Sequence, residues 1–72
     1  MELGLIAIGA GLAVGLAAIG TGYAQANIGS AGMGAIAEKP ELIGNVILLV
    51  AIPETVLILG FAVAAMIILL LP

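Results

Sequence analysis

The chain has 72 residues, of which 65% are hydrophobic, with four acidic side chains and one basic one. So few polar groups cannot cover a soluble core of this size, which indicates a membrane protein. The absence of His and Cys excludes His/Cys metal centres, thiol chemistry and Ser–His–Asp catalysis within one chain, and the net charge of −3 speaks against nucleic acid.

The first predicted element is a transmembrane helix over residues 2–37. The apolar run from Leu3 is far longer than the roughly 7–15 residues of a signal-peptide core, so we expect a retained helix rather than a cleaved leader. Pro40 disfavours helical geometry for the residue before it, which predicts that this helix ends near Ala37.

Glycines concentrate in this helix, which holds nine of the eleven in the chain. At about 100° per residue, two stripes of small residues run along opposite sides of the helix. The first stripe is Gly4, Gly11, Gly15, Gly22 and Gly29, and the second is Gly9, Ala13, Gly20, Asn27 and Gly34. Small residues let helices approach closely in lipid, so two opposed small faces predict a like neighbour on each side. If the rotation closes, such a head-to-tail array is a ring of identical subunits. The second helix is rich in Leu, Ile and Val, which suits an outer position against lipid, so we expect the first helices inside and the second helices outside.

Three charged residues and a proline stand together in Glu38-Lys39-Pro40-Glu41. This cluster predicts a polar loop over residues 38–41. Lys39 is the only basic residue of the chain. Because cytoplasmic loops carry the excess of positive charge, Lys39 predicts that the loop is cytoplasmic and that both termini are external.

The second predicted element is a transmembrane helix over residues 42–71, which completes an all-α antiparallel hairpin in the lipid bilayer. Glu54 lies near the middle of this helix, where a carboxylate costs roughly 2.5–3.5 kcal/mol on insertion scales, so we expect a functional site there. Pro53 has no N–H and displaces the carbonyl of Leu49, four residues back, which leaves a backbone oxygen near the carboxylate.

Polar side chains of the first helix are predicted to meet Glu54. Gln25 lies about 18 Å before the loop and Glu54 about 18–20 Å after it, so antiparallel helices bring the two to one depth. With Thr21 and Thr55 they form a set of oxygen ligands that suits a small hard cation. The same set also suits a protonated Glu54, so a bound cation and a proton are both open. Secondary candidates for the site are Tyr23, Leu49 and Ile52.

Structural roles are the alternatives for the neutral members of this set. Gln25 could be a hydrogen-bonding contact between helices, Thr55 could bond back to its own helix, and Tyr23 could anchor an interface. Glu54 has no counter-charge at its depth, because Lys39 lies in the loop. The cation that stabilises an emptied carboxylate must then come from another polypeptide, and an arginine suits this role because it stays charged.

These residues resemble a known family, the rotor-ring proteolipids of rotary ATPases. The resemblance covers essentially the whole chain, and the segment IPETVLILGF is similar to the archaeal and bacterial A/V-type branch with single-hairpin protomers. GTGYAQANIG resembles the matching segment of the first helix, with Gln25 at the ligand position. The chain departs from the family in two ways: its loop lacks the arginine often found in F-type members, and many V-type relatives are duplicated into four helices.

The resemblance implies that Glu54 carries one ion per hairpin past a stator membrane subunit with two offset half-channels and an arginine. It implies that Glu38, Lys39 and Glu41 contact the central stalk, and that the ring turns together with ATP chemistry in a peripheral head. No covalent chemistry and no organic cofactor are expected in this chain, and the expected location is a prokaryotic plasma membrane. Gln25, Glu54 and Thr55 resemble the sodium-binding pattern of some family members, so the resemblance favours Na⁺ at Glu54 and Gln25, with H⁺ as the alternative.

Two other functions share part of this pattern. A small pore-forming peptide such as a holin also has a hairpin with glycine packing, but it does not require Gln25 and Glu54 at one depth or a proline at position 53. A structural assembly factor with an incidental glutamate is the second alternative.

Overall fold

The computed structural model describes residues 2–72, and over these residues the chain is an all-helical hairpin 55 Å long, 15 Å wide and 8 Å thick. The first arm is one helix, α1, at Leu3–Glu38. The second arm begins with a single 3₁₀ turn at Pro40–Leu42 and continues as α2 at Ile43–Ala51 and α3 at Glu54–Leu70. The structure confirms the predicted all-α hairpin.

The reversal between the arms is tighter than the predicted loop over residues 38–41. α1 extends to Glu38, and Lys39 alone separates it from the 3₁₀ turn, with an extended backbone at φ −136° and ψ 90°. The N–H of Lys39 donates to the Ala35 carbonyl at 2.8 Å, and its own carbonyl accepts from the Leu42 N–H at 3.0 Å. Pro40 fits at the start of the turn because that position needs no N–H donor.

In the second arm, predicted as one helix over residues 42–71, the α-helical bonding pattern is interrupted at Ile52 and Pro53, although both residues keep helical backbone angles. A proline inside a helix removes one backbone donor and clashes with the carbonyl four residues earlier. The chain responds with tighter bonds between residues three apart: the Thr55 N–H donates to the Ile52 carbonyl at 3.1 Å, and the Val56 N–H to the Pro53 carbonyl at 3.0 Å. As a result, Glu54 stands at the first position of α3.

The two arms pack through small residues. Gly60 faces Ala17 of α1, and a Cβ added to Gly60 would lie 2.5 Å from the Ala17 Cβ and 3.1 Å from the Ala13 carbonyl oxygen. Gly32 faces the Val46 side chain in the same way nearer the turn. Close backbone approach of this kind supplies the van der Waals contact that holds helices together in lipid.

Large apolar side chains lie outside the seam between the arms, and on α1 they include Leu5, Ile8, Leu12 and Ile19, each at least 55% exposed. Both arms are long and apolar enough to cross a membrane, with mean hydropathy of 2.2 for Leu3–Glu38 and 2.5 for Pro40–Leu70 over their most apolar windows. Outward apolar surface of this extent suits a lipid environment.

Most glycines of the two predicted stripes point away from the seam. A Cβ added to any of Gly11, Gly15, Gly20, Gly22, Gly29 or Gly34 would have no neighbour within 4 Å. Gly9 approaches Ile67 at 3.9 Å, and Gly4 lies against the Glu2 side chain. The stripes are therefore free for contacts outside the hairpin, whereas Gly32 and Gly60, which belong to neither stripe, join the arms.

Gly60→Ala is expected to destabilise the hairpin by about 1–3 kcal/mol, because the added methyl group meets the fixed α1 backbone at Ala13. The matched control is Gly44→Ala, since a Cβ at Gly44 meets nothing within 4 Å. SDS titration in detergent micelles, followed by energy transfer between labels on the two arms, measures both variants. Equal stability of the two variants would contradict the packing at Gly60.

Candidate ion-binding site

Two polar side chains of α1, Thr21 and Gln25, lie beside the interruption of the second arm. The Gln25 side-chain amide donates from Nε2 to Glu54 Oε2 at 2.9 Å. The same Nε2 donates to the main-chain carbonyl of Val50 at 3.2 Å. Gln25 thus links the carboxyl group of α3 to the last turn of α2, at the depth that the sequence predicts for both side chains.

Thr21, one turn before Gln25 on α1, donates from Oγ1 to the Pro53 carbonyl at 3.0 Å. Its side chain is 3% exposed, which makes it the one buried polar residue among residues 2–72. The Pro53 carbonyl accepts from both Thr21 and the Val56 N–H. A broken helix is tolerated in hydrocarbon where neighbouring groups satisfy the backbone. Thr21 and Gln25 therefore support the break that positions Glu54.

Gln25 contacts the backbone oxygen next to the one that Pro53 is predicted to displace. The displaced carbonyl is that of Leu49, and the Gln25 amide donates to the Val50 carbonyl. Leu49 borders a groove on the other side of the seam, beside Ile28 and Gly32. Gln25 approaches from the opposite side, so the carbonyl one residue later is the one within its reach.

Gln25, Glu54 and Thr55 share an open groove whose other walls are apolar, namely Val46, Ile47, Val50, Ala51 and Ile58. The groove has a volume of ≈ 520 Å³, compared with the roughly 10–15 Å³ that one water needs on the same measure. A single small ion therefore fills only a fraction of it, and Glu54 remains exposed on the outer side of the hairpin.

Two secondary candidates lie outside this groove. Tyr23 is 75% exposed on the outer side of α1, and its carbonyl accepts a bond from the Asn27 side chain at 2.8 Å. Ile52 is 59% exposed, and its carbonyl accepts from the Thr55 N–H. Neither of these residues lines the groove beside Glu54.

The electrostatics of the groove rest on one carboxyl group. The only basic side chain, Lys39, is fifteen positions away in the sequence, or about 20 Å along a helix. Residues 2–72 contain no cluster of three or more His, Cys, Asp or Glu side chains that could hold a metal. One carboxylate balances one monovalent charge, so the donor set fits Na⁺ or a proton better than a divalent cation.

Sequence reasoning missed two members of this network, the main-chain carbonyls of Val50 and Pro53. The usable signal was the four-residue spacing of Thr21 and Gln25, which places two donors on one face of α1 opposite a predicted proline break. That spacing indicates donors for a broken backbone as well as ligands for an ion.

Comparison with known proteins gives consistent similarities. Residues 8–67 match the family of ATP synthase C subunits. The chain is 44% identical over 61 residues to the K subunit of the A-type ATP synthase of Methanocaldococcus jannaschii, covering 85% of this chain and 28% of that protein. It is 48% identical over 61 residues to the K subunit of the A-type ATP synthase of Sulfolobus acidocaldarius, covering 85% and 60%. It is 38% identical over 69 residues to the ATP synthase c-type subunit of Petrotoga mobilis, covering 90% and 72%.

Thr21→Val is expected to destabilise the hairpin by about 0.5–1.5 kcal/mol, because the Pro53 carbonyl loses its side-chain donor at nearly unchanged volume. Thr21→Ser keeps the hydroxyl and serves as the control. SDS titration in micelles measures the difference. If the valine variant is as stable as the serine variant, the bond to Pro53 does not support the break.

Proposed function

Since the chain belongs to the family of ATP synthase C subunits, we propose that it is the ion-carrying rotor subunit of a membrane rotary ATPase of the A/V type. In this role identical hairpins form a closed ring, and each hairpin carries one Na⁺ or H⁺ on Glu54. The family match confirms the resemblance seen in the sequence. The chain spans 28% of one A-type relative and 60% of another, so the carrier, the ion and the partners belong to the proposal.

The hydrogen bond between Gln25 and Glu54 is the observation that carries this proposal. It puts an ionisable group beside an oriented amide within two arms that are otherwise apolar enough to span a bilayer. A carboxylate at the bilayer centre is costly, so a purely structural role would be served better by an apolar side chain. Reversible neutralisation by a transported cation gives the group a function.

Glu54 alternates between a loaded state and an empty state in this mechanism. In the loaded state a proton or Na⁺ cancels the charge, and the neutral hairpin can face lipid. In the empty state the Gln25 N–H groups donate to the carboxylate and to Val50, which holds the charged group at the break. Gln25 supplies no positive charge, so an arginine of the stator membrane subunit stabilises the empty state.

Na⁺ and H⁺ make different demands on Gln25. In the structure the amide presents its donor Nε2 to the Glu54 carboxyl oxygen. To ligate Na⁺, the amide would present its oxygen instead, together with Glu54 and the nearby Thr55 hydroxyl. Three oxygen donors at one groove favour Na⁺, whereas a proton needs only the carboxyl group.

The tight turn supplies the contact to the rest of the complex. Glu38, Lys39 and Glu41 are exposed at one end of the hairpin, where central-stalk subunits would bind them. The positive charge of Lys39 favours a cytoplasmic turn in a prokaryotic plasma membrane. The partners are thus identical subunits, a stator subunit, stalk subunits and lipid.

Glu54→Gln is expected to leave ring assembly intact and to abolish coupled ion transport, because the amide keeps the shape and a hydrogen-bonding oxygen but cannot bind or release a cation. The measurement is ATP-driven ion uptake into vesicles that contain the complete complex. Glu2→Gln, which removes an acid at the far end of the hairpin, is the control. Transport at the normal rate in the Glu54 variant would rule out the rotor mechanism and favour a structural or pore-forming role.

Carbodiimide labelling of Glu54 distinguishes the two ions, because the reagent attacks a protonated carboxyl group. At fixed pH, NaCl is expected to slow the labelling while KCl at equal ionic strength does not, and Gln25→Leu is expected to weaken this protection. Labelling that responds to pH alone, with no effect of NaCl, would assign the site to H⁺.

A further inference from the structure

Asn27 is a polar residue that the intrachain site does not use. Its Nδ2 donates to the Tyr23 carbonyl at 2.8 Å, and its side chain is exposed on α1. A carboxamide has two N–H donors and an acceptor oxygen, so one donor and the oxygen are left over. At the depth of Gln25, in hydrocarbon, these groups need a partner.

The two stripes of small residues flank the face of α1 that packs on the second arm. That face carries the buried residues Ile6, Ala10, Thr21 and Gly32. At about 100° per residue, the stripe with Gly22 and Gly29 lies roughly 100–110° to one side of it, and the stripe with Asn27 lies roughly 100° to the other side. Gln25 stands between the packed face and the first stripe, so the ion-site groove opens on the first-stripe side.

On the first-stripe side, Gly22, Gln25, Ala26 and Gly29 outline a diamond of the kind that receives one side chain from a neighbouring helix. A Cβ built on Gly22 or Gly29 would meet nothing within 4 Å, so this hole is open. Its centre lies about 2 Å along the helix from the level of Asn27, and the tilt of side chains toward the helix N-terminus reduces that offset.

Copies related by rotation about the membrane normal keep each residue at one depth. The second stripe of one copy then faces the first stripe of the next, and Asn27 arrives at the hole beside Gln25. The other members of the second stripe are Gly9, Ala13, Gly20 and Gly34, none of which has a polar side chain. Asn27 is therefore the one member of its stripe that can hydrogen-bond to the neighbour through its side chain.

The hydrogen-bond inventory of Gln25 matches that of Asn27. Nε2 of Gln25 donates to Val50 and Glu54, and within residues 2–72 its Oε1 has no hydrogen-bond partner. We propose that Asn27 of the neighbouring copy enters the hole beside Gln25 and donates its free N–H to Gln25 Oε1. This inference rests on the proposed ring and concerns the empty state, and it makes Asn27 a positioning residue: holding Oε1 keeps Nε2 directed at the Glu54 carboxylate.

Cysteine pairs test the surface directly, because the chain contains no Cys. Asn27→Cys combined with Ala26→Cys, oxidised in membranes, is expected to give a ladder of disulfide-linked oligomers. Adjacent residues of a helix point about 100° apart, so the pair does not close within one chain. The single variants are the controls and are expected to remain monomeric on the gel. Dimers from Asn27→Cys alone would show like faces meeting and overturn the proposal, as would a double variant without a ladder.

The positioning role has its own readout in assembled rings. Asn27→Ala is expected to accelerate carbodiimide labelling of Glu54 by about threefold to tenfold, the size of effect expected for one neutral hydrogen bond. Without Asn27 the Gln25 Nε2 donor stabilises the carboxylate less, so more of Glu54 is in the protonated form that the reagent attacks. Ser30→Ala, one turn along α1, is the matched control and is expected to label at the normal rate. Unchanged labelling in the Asn27 variant would overturn the positioning role. Neither measurement involves ion transport, so the two proposals can fail separately. A disulfide ladder together with normal transport by the Glu54→Gln variant would reject the proposed function and keep the contact between copies.

Discussion

The energetic cost of unpaired polar groups in hydrocarbon governs the whole hairpin. Each backbone N–H or C=O without a partner costs several kcal/mol there, so a spanning chain is helical almost throughout. At Ile52 and Pro53 the backbone angles stay helical but the hydrogen bonds shorten to residues three apart, and that is the level at which Thr21 and Gln25 donate across the seam. The two side-chain donors add to the backbone hydrogen bonds where the α-helical pattern is interrupted.

The same arrangement explains how a carboxyl group is held at this depth. Because the interruption ends at Pro53, Glu54 begins a new helix and shares its donor with a main-chain carbonyl. Gln25 is thus held by α1 and by its bond to Val50, whereas Glu54 is exposed on the outer side of the groove.

The sequence was sufficient for the parts of this arrangement that depend on regular geometry. A fixed rise per residue and one proline-marked reversal place Gln25 and Glu54 at one depth, and both follow from counting residues. Counting residues could not show that Gln25 contacts the Val50 carbonyl, because this depends on which side of the break faces α1. Gly60 in the seam was equally hidden, since a single glycine forms no stripe and its role depends on the partner backbone at Ala13.

The glycines divide into two sets with separate tasks, and this division links folding to assembly. Gly32 and Gly60 are used within the hairpin, where no Cβ fits, so they fix the distance between the arms before any neighbour is present. The outward stripes leave open space that only another polypeptide or lipid can fill. Lipid tails satisfy the apolar part of that surface but offer no hydrogen bond to the free groups of Asn27 and Gln25. In the proposed ring a second copy offers both close packing and the missing partners, so hydrogen bonding favours protein over lipid at the level of Glu54.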